Sequence, residues 1–372
     1  MKNITFLIGG LSSGGAEHQL SELCNMLVDK YKITIATWVD FDDHYKLDSK
    51  IERVRIAPHK NRCIKIFSVM WYFLRCKSDV VISYTAYDSI LALIPLFFRR
   101  GVKSIVSERN YKDLEGTFVE FILYRLLYRR ATYIVPNSYA QGRYICEKTK
   151  YRNKVRPITN YTDVSKYKLS PMAEHRPIRI GVFSRYAQQK NYIRFAQAIA
   201  IVKKKISIPF DIDWYGKKYV FNTVNKNFEE FQAIVDKLSL SDTIHLHDHI
   251  SNVAERIRDF DVICLMSLRE GFSNAISEAI CSGRPVIASN VSDNSLMVKD
   301  GVNGFLIDPY NVDSMAEGII KFLNLSFEKR QNMGMQSRYI AERLFDEVEF
   351  KGKYINPVSY THLRAHETVL DL

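Results

Sequence analysis

The cysteines of this 372-residue chain lack the close spacing of a metal or redox site, because no two of the six form a CxxC pair. Structural zinc sites and disulfide-rich secreted domains depend on such spacing. We therefore interpret the cysteines as reduced thiols, most of them small buried side chains, and we predict no metal site. They are Cys24, Cys63, Cys76, Cys146, Cys264 and Cys281.

Long hydrophobic runs are also missing. The longest candidate, Ile90–Phe98, is far shorter than the roughly 20 apolar residues of a membrane-spanning helix. The apolar run Ile4–Ile8 is shorter than the core of a secretory signal, which needs roughly 7–15 residues, and we interpret it as a strand. The expectation is a cytoplasmic protein, either soluble or peripheral at the inner face of the cell membrane.

Acidic residues are scarce in one part of the chain. The net charge is +12, and between Arg53 and Asn160 there are 21 Lys and Arg against 7 Asp and Glu. Such a concentrated basic region indicates a polyanionic partner, either an anionic lipid surface or a nucleic acid. The globular composition and the length favour two domains.

Both halves of the chain alternate strands with helices. The first begins with the strand Ile4–Ile8 and a helix from about Ala16 to Lys30, and the second with the strand Ile178–Phe183 and a helix Tyr192–Lys205. This alternation predicts an α/β fold of two doubly wound, Rossmann-like domains with a ligand cleft at the carboxyl ends of the strands. Further strands are predicted at Ile33–Thr37, Val80–Ser83, Ser104–Val106, Tyr133–Val135, Phe210–Trp214, Thr243–Leu246, Val262–Leu265 and Pro285–Ala288.

The predicted boundaries follow the same pattern. Residues 1–168 form the first domain and 178–335 the second, with the polar, proline-containing segment Ser170–Pro177 between them as a linker. Residues 336–355 have the composition of a helix that returns to the first domain. The last 17 residues, 356–372, begin with Asn-Pro, show no apolar periodicity, and are predicted to be a disordered or non-native tail.

Two glutamates give the strongest chemical signal. The segment REGFSNAISEAIC places Glu270 before a predicted helix and Glu278 within it, eight positions apart. Carboxylates accept hydrogen bonds from the vicinal hydroxyls of sugars and ribose, and the amides at the helix start, Phe272 to Asn274, suit a diphosphate. The alternative is an ordinary amphipathic helix with acidic residues near its start.

Two cations follow the first strand of the second half. Arg185 and Lys190 lie in the loop that enters the next helix, where two positive charges can neutralise a diphosphate. The alternative is a pair of solvated surface cations. In the first half the loop Gly9–Glu17 is rich in glycine but is not GxGxxG, so an ordinary turn explains it equally well.

Taken together, these motifs resemble the retaining glycosyltransferases of family 4, the glycosyl transferases group 1, which have the GT-B fold. The resemblance covers roughly residues 1–350. It is carried by GGLSSGGAE, Asn137-Ser138, Arg185 and Lys190 in SRYAQQKN, Glu270 and Glu278, and SGRPVIAS followed by DGVNGFLID.

The resemblance implies a metal-independent enzyme without a cofactor that uses a nucleotide-sugar donor, with UDP as the expected nucleotide. Arg185 and Lys190 would hold the donor diphosphate, Glu278 the ribose, and Glu270 the transferred sugar. Gly14 and Gly15 would border the diphosphate and acceptor, and the remaining donor contacts would be Gly271, Phe272, Ser273 and Asn274. On the acceptor side, Glu108, Arg109 and Asn110 stand where many relatives have a histidine. The acceptor would be a glycan or a lipid-linked glycan of cell-surface polysaccharide, lipopolysaccharide or capsule biosynthesis.

Two other classes remain as alternatives, a nucleic-acid-binding protein and a nicotinamide-dependent α/β protein. The first lacks a recognised nucleic-acid module, so we expect no nucleic-acid partner, and the second lacks the glycine fingerprint. Two aromatic segments in the basic half, Ile66–Leu74 and Phe118–Arg130, suit an anionic membrane surface. The alternative for both is a buried core helix whose cations reach solvent.

Overall fold

The computed structural model describes residues 1–12, 14–39, 44–56, 61–109, 115–174, 176–220 and 223–359. The chain forms two compact units. The first contains Met1–Tyr161 together with the C-terminal helix, and the second contains Thr162–Asp346.

The first unit is built on a parallel sheet of six strands in the order β3-β2-β1-β4-β5-β6. The strands are β1 (Asn3–Ile8), β2 (Lys32–Thr37), β3 (Glu52–Arg55), β4 (Val80–Ser83), β5 (Lys103–Glu108) and β6 (Tyr133–Pro136). The helices are α1 (Gly15–Leu27), α2 (Arg62–Arg75), α3 (Ala86–Leu96), α4 (Phe118–Phe121) and α5 (Tyr139–Lys148), with a π-helix at Ile122–Leu127 and a 3₁₀ turn at Arg152–Lys154.

The second unit repeats this plan with a parallel sheet in the order β11-β8-β7-β12-β13-β14. Its strands are β7 (Ile178–Phe183), β8 (Phe210–Tyr215), the short hairpin β9 (Tyr219–Val220) and β10 (Thr223–Val224), β11 (Ile244–His247), β12 (Val262–Leu265), β13 (Val286–Ser289) and β14 (Gly304–Ile307). Its helices are α6 (Tyr192–Lys205), α7 (Lys226–Lys237), α8 (Val253–Arg256), α9 (Asn274–Cys281), α10 (Asn294–Met297), α11 (Val312–Leu323) and α12 (Phe327–Leu344), with 3₁₀ turns at Val164–Lys166, Gln188–Lys190 and Ile257–Asp259.

These two sheets confirm the predicted α/β fold of two doubly wound, Rossmann-like units. Most strands lie where the sequence places them, since buried parallel strands are continuous apolar runs. Two edge strands were not predicted, β3 with the sequence ERVR and β14 with GFLI. Edge strands are short and partly exposed, so their sequences carry a weaker pattern.

The change of unit lies earlier in the chain than predicted. The segment around Ser170, expected to be a linker, packs on the second unit, because the guanidinium of Arg284 donates to the Ser170 carbonyl over 3.3 Å. Likewise, Arg338 Nη1 donates to the Tyr167 carbonyl over 2.7 Å.

The residues predicted as the returning C-terminal helix, 336–355, are divided between two helices. The helix α12 ends at Leu344 because Phe345 leaves the helical conformation and buries its ring against Phe272. A new helix, α13 (Glu347–Ser359), then packs on the first unit. In this helix Tyr354 is only 1% exposed, and the ring of Phe350 stacks on Tyr161.

The predicted tail is also shorter than expected, because α13 continues through Asn356 and Pro357 to Ser359. Residues 360–372 lie outside the described residues. Within the part of the chain that the structure describes, no helix has both the length and the apolar content to cross a membrane.

A chain shortened to end at Ser359 is expected to keep the melting temperature of the full chain, because α13 is retained. A chain ending at Asp346 should melt at a clearly lower temperature, because it loses the buried rings of Phe350 and Tyr354. Differential scanning calorimetry of the three proteins tests this. A lower melting temperature for the first shortened chain would show that residues 360–372 stabilise the fold.

Candidate functional site

The second sheet has its topological switch point between β7 and β12. From β7 the chain continues outward through β8 to β11, whereas β12, β13 and β14 lie on the other side. The loops that follow β7 and β12 therefore leave the same edge of the sheet in opposite directions. Ligands of open α/β sheets bind in the crevice that forms at this point.

The two loops are joined by their own hydrogen bonds. The Leu268 amide donates to the Gln189 carbonyl over 2.9 Å, and Gln189 Nε2 donates to the Arg269 carbonyl over 2.7 Å. Asn191 then takes a left-handed conformation, with φ at 61°, before α6 begins. Its side chain donates to the Pro309 carbonyl over 2.8 Å. These contacts fix the backbone on both sides of Lys190.

Lys190 and Glu270 form an ion pair across these loops. The distance from Lys190 Nζ to Glu270 Oε1 is 2.6 Å, and the side chains are only 14% and 11% exposed. A buried pair of this kind fixes the geometry of both partners, because removing one leaves the other charge buried without compensation. The structure thus brings together two residues that are 80 positions apart in the sequence.

Arg185 lies in the same loop and is exposed. Among the described residues, its guanidinium makes no hydrogen bond or ion pair. It is therefore a cation at the carboxyl edge of β7 whose charge no described acid compensates.

The helix α9 begins at Asn274, so Glu270 lies in the preceding loop and Glu278 within the helix, as predicted. Ser273 is the N-cap, and its Oγ accepts from the Ile276 amide over 3.4 Å. Ser292 Oγ donates to the Gly271 carbonyl over 2.9 Å. This hydrogen bond and the buried ring of Phe272 hold the loop before the helix.

Glu278 is partly buried, and its carboxylate has no hydrogen-bond donor among the described residues. The loss of hydration raises the pKa of this carboxyl from 4.5 to about 7. A carboxylate that is costly to ionise and has no structural partner has its hydrogen-bonding capacity available for a ligand.

In the first unit, the predicted glycine loop enters α1. Gly14 is the N-cap in an extended conformation, and its carbonyl accepts from the Tyr45 hydroxyl over 3.0 Å. A side chain at Gly14 would meet the carboxylate of Glu17. Gly15 is the first residue of the helix, so both glycines lie at the carboxyl edge of β1, beside the switch point between β1 and β4.

Glu108, at the end of β5, is buried inside the first unit. Its carboxylate accepts from Tyr124 over 3.2 Å, from Gln141 over 2.5 Å and from Tyr128. Desolvation raises the pKa of this carboxyl. With these donors around it, Glu108 holds β5 to the π-helix and α5, and its burial argues against direct contact with an acceptor.

Arg109 turns in another direction. Its guanidinium lies 4.0 Å from the centre of the Tyr84 ring and donates to Tyr354 over 3.0 Å and to Asn160 over 3.3 Å. Nε has no partner among the described residues. Asn110 lies outside the described residues. The structure thus separates Glu108 from Arg109, although the two are adjacent in sequence.

Sequence reasoning missed the residues that support the site, namely Gln189, Asn191 and Ser292. Of these three residues, only Asn191 has a recognisable signal in the sequence. It is an asparagine directly before a predicted helix, and asparagine tolerates the left-handed conformation. Asp211 and Asp213, which resemble a metal-binding DxD motif in sequence, lie within β8, and Asp213 accepts from Arg179 over 3.1 Å. Within the described ranges, no three His, Cys, Asp or Glu side chains converge as metal ligands would.

The second unit matches a known family. Residues 168–339 fit the model of the glycosyl transferases group 1. This segment contains all four residues of the predicted donor set: Arg185, Lys190, Glu270 and Glu278.

One relative is similar through most of the chain, and another through a little under half of it. A Campylobacter jejuni GalNAc-α-(1→4)-GalNAc-α-(1→3)-diNAcBac-PP-undecaprenol α-1,4-N-acetyl-D-galactosaminyltransferase is 24% identical over 87% of this chain and 89% of its own length. An Escherichia coli UDP-Gal:α-D-GlcNAc-diphosphoundecaprenol α-1,3-galactosyltransferase is 29% identical over 46% of this chain and 43% of its own.

Solved structures show the same fold. The Anabaena protein Alr3699/HepE, crystallised in complex with UDP and glucose, superposes with a TM-score of 0.80 at 19% identity, over 96% of this chain and 100% of that one. Together with the two parallel six-stranded sheets, this likeness confirms the GT-B fold. The motifs of the donor loops, the match over residues 168–339 and the fold agree, and the second unit of this chain is a glycosyl transferases group 1 domain.

Proposed function

We propose that this glycosyltransferase moves a sugar from a UDP-sugar to a lipid-linked or polymeric glycan acceptor, with retention of configuration at the anomeric carbon. The relatives support this acceptor class, since the names of two of them include undecaprenol-linked diphosphates. UDP as the nucleotide is supported by its presence with Alr3699/HepE and in the name of the galactosyltransferase. Both substrates meet at the cytoplasmic face of the membrane in this proposal.

One observation carries the proposal. At the switch point of the second sheet, the structure brings the constrained pair of Lys190 and Glu270 into the same edge as the uncompensated charge of Arg185. Lys190 has three N–H donors, and only one of them is directed at Glu270, so two remain for the diphosphate. Arg185 supplies a planar donor group that can contact phosphate oxygens in pairs.

The two glutamates take the hydroxyls of the donor. Glu278, which has no partner among the described residues, accepts from the ribose hydroxyls. Glu270 accepts from the transferred sugar through the carboxylate oxygen that Lys190 does not contact. Gly271, Phe272, Ser273 and Asn274 form the turn between them and border the phosphates at the start of α9.

In the proposed reaction, the bond between the anomeric carbon and the diphosphate oxygen breaks, and the acceptor oxygen bonds to the same face of that carbon. The acceptor proton moves to the leaving phosphate oxygen, so charge is balanced without another base. The reacting sugar passes through an oxocarbenium-like state. Arg185 and Lys190 stabilise the negative charge that builds on the leaving diphosphate.

On the acceptor side, we assign contact to Arg109 and not to Glu108. The guanidinium of Arg109 lies at the carboxyl edge of β5, and its described partners are the neutral groups of Tyr84, Tyr354 and Asn160. Its positive charge suits a phosphate-bearing acceptor. Gly14 and Gly15 allow close approach at the neighbouring strand end.

Thermal stabilisation by ligands tests the class of protein. UDP should raise the melting temperature, and the rise should grow with the logarithm of the UDP concentration above its Kd, whereas NAD and single-stranded DNA should not raise it. A shift with NAD or DNA alone would favour one of the two alternative classes.

Replacing the donor-site cations should separate binding from folding. Arg185→Ala should lower kcat/KM for the donor by roughly tenfold to a hundredfold, since a hydrogen bond to a charged group is worth about 1.5–3 kcal/mol. Its melting temperature should not change, because the side chain makes no described contact. Lys190→Ala should lose as much activity and also some stability, because Glu270 is left buried without its partner.

Arg343→Ala provides the matched control, because Arg343 is an exposed arginine on α12 of the same unit. It should keep donor kinetics and melting temperature. Wild-type donor kinetics in a folded Arg185→Ala or Lys190→Ala protein would contradict the site assignment.

The raised pKa of Glu278 predicts a pH dependence of stability. A carboxyl whose pKa is higher in the folded than in the unfolded protein destabilises the fold as pH rises from 4.5 to about 7. Glu278→Gln cannot ionise, so its free energy of unfolding relative to wild type should increase across this interval by up to roughly 3 kcal/mol. Urea unfolding at pH 4.5 and pH 8 measures the change.

At pH 8, UDP should stabilise Glu278→Gln less than it stabilises the wild-type protein. Replacing a glutamate with a purely structural role would leave the stabilisation by UDP unchanged. Glu317→Gln, at an exposed position of α11, is the control and should show no pH-dependent difference. A difference between Glu278→Gln and wild type that stays constant with pH would mean that Glu278 is hydrated or partnered in solution.

Metal removal tests the electrostatic part of the mechanism. The rate of sugar transfer should be unchanged in excess EDTA. Arg185, Lys190 and the start of α9 supply the positive potential that Mg²⁺ supplies in metal-dependent enzymes. Initial rates with and without chelator give the answer. A loss of activity that Mg²⁺ or Mn²⁺ restores would overturn the assignment of these residues as the sole counter-charge.

A further inference from the structure

The helix α2 of the first unit is apolar on both faces. Its inner face packs into the core through Val69 and Phe73, which are both fully buried. Its outer face carries Ile64, Phe67, Trp71 and Leu74, which are 45%, 66%, 45% and 37% exposed. Their spacing of three and four residues aligns them in one stripe along the helix, which we call the α2 stripe.

The α2 stripe is ordered by its own contacts. The rings of Phe67 and Trp71 stack with their centres 6.1 Å apart, and the guanidinium of Arg75 lies 4.0 Å from the centre of the Trp71 ring. Together with Ser68 and Tyr72, these residues line an open groove on the outside of the helix. Soluble proteins rarely expose a contiguous apolar surface of this kind, and where they do, it is usually an interaction site.

The charged side chains on α2 itself are all positive. The helix contains Arg62, Lys65 and Arg75 but no acidic residue, and Lys77 follows it. Aromatic residues next to cations on a surface helix are typical of segments that lie in the interface of an anionic bilayer. Interfaces between proteins are instead depleted in lysine, so the charge pattern favours lipid over a protein partner.

The basic, apolar surface continues past the end of α2. Arg99 Nη1 donates to the Phe73 carbonyl over 2.9 Å, which ties the end of α3 to α2. Phe98, just before Arg99, is 81% exposed. The guanidinium of Arg129 lies 5.5 Å from the centre of the Phe97 ring, so a further cation lies beside these aromatic residues. Arg130, in contrast, donates to the carbonyls of Leu96, Arg99 and Val102 and is structural.

We propose that the α2 stripe inserts into the interface of an anionic lipid bilayer, with Phe67 and Trp71 among the acyl chains and the flanking cations at the headgroups. The proposal rests on the surface of the first unit alone and does not depend on the donor site. Of the two segments that the sequence suggested, it selects Ile66–Leu74 on α2 and excludes Arg130.

Trp71 provides a local reporter for the test. The chain has three tryptophans: Trp214 is 1% exposed, and Trp38 donates to the Asp88 carboxylate, which leaves Trp71 as the most exposed of them. Vesicles of phosphatidylglycerol and phosphatidylcholine with brominated acyl chains should quench the emission of the wild-type protein. Trp71→Phe should lose this quenching while still binding. Equal quenching of both proteins would overturn the proposal.

Sedimentation with the same vesicles, unbrominated, measures affinity. Phe67→Ser combined with Trp71→Ser should weaken binding by roughly tenfold or more, because two inserted rings are lost. Binding should also weaken when salt is added or phosphatidylglycerol is left out. Salt screens the attraction between the exposed cations and the anionic headgroups, and without phosphatidylglycerol those anionic headgroups are absent. The matched control replaces two exposed tyrosines of the second unit, Tyr219→Ser with Tyr339→Ser, and should bind as wild type.

Three further results would overturn the proposal. Unchanged vesicle binding by the double variant would exclude the α2 stripe, and loss of binding confined to Phe118→Ser with Phe121→Ser would move the contact to α4. A wild-type dimer in analytical ultracentrifugation that the double variant abolishes, without any vesicle binding, would identify the stripe as an interface between two copies. Circular dichroism confirms that each variant is folded.

Discussion

The contact between Lys190 and Glu270 is the interaction on which the proposed donor site depends. It joins the loops that follow β7 and β12, the two strands that flank the switch point of the second sheet. Parallel strands on either side of such a point send their chains apart, so the edge would be open without a bridge. The buried ion pair and the two hydrogen bonds of Gln189 close it. The positions of the charges are thereby fixed before any ligand arrives, which is the condition for electrostatic catalysis.

The loop after β7 and the helix α9 carry two ionisable groups without described partners, Arg185 and Glu278. Their environments differ in a way that suits different parts of a nucleotide sugar. Arg185 is exposed, so it can contact a diphosphate as the ligand enters. Glu278 is partly buried, and its raised pKa shows that ionising it without a ligand is costly. Hydroxyl donors from a bound nucleotide would offset that cost.

The first unit uses buried polar groups for a different purpose. Glu108 accepts from two tyrosines and a glutamine and so holds β5 against the π-helix and α5. Arg109 points instead toward Tyr84 and the C-terminal helix α13. The end of β5 therefore separates a structural carboxylate from a cation at the edge of the sheet. The same unit presents apolar side chains outward along α2, where no element of the described chain covers them.

The sequence by itself determined the fold class and most strands, because period and composition encode buried parallel strands, and it singled out the four residues that we propose for the donor site. Only the tertiary structure decided which charges are paired. The 2.6 Å contact of Lys190 with Glu270, the burial of Glu108 and the outward face of α2 each depend on residues distant in the chain. The sequence pattern of an apolar stripe is the same whether the stripe faces a core or solvent. The sequence likewise does not show whether a glutamate is buried with hydrogen-bond donors or exposed without them. Burial and distance distinguish these cases, and both arise from packing, which local sequence does not specify.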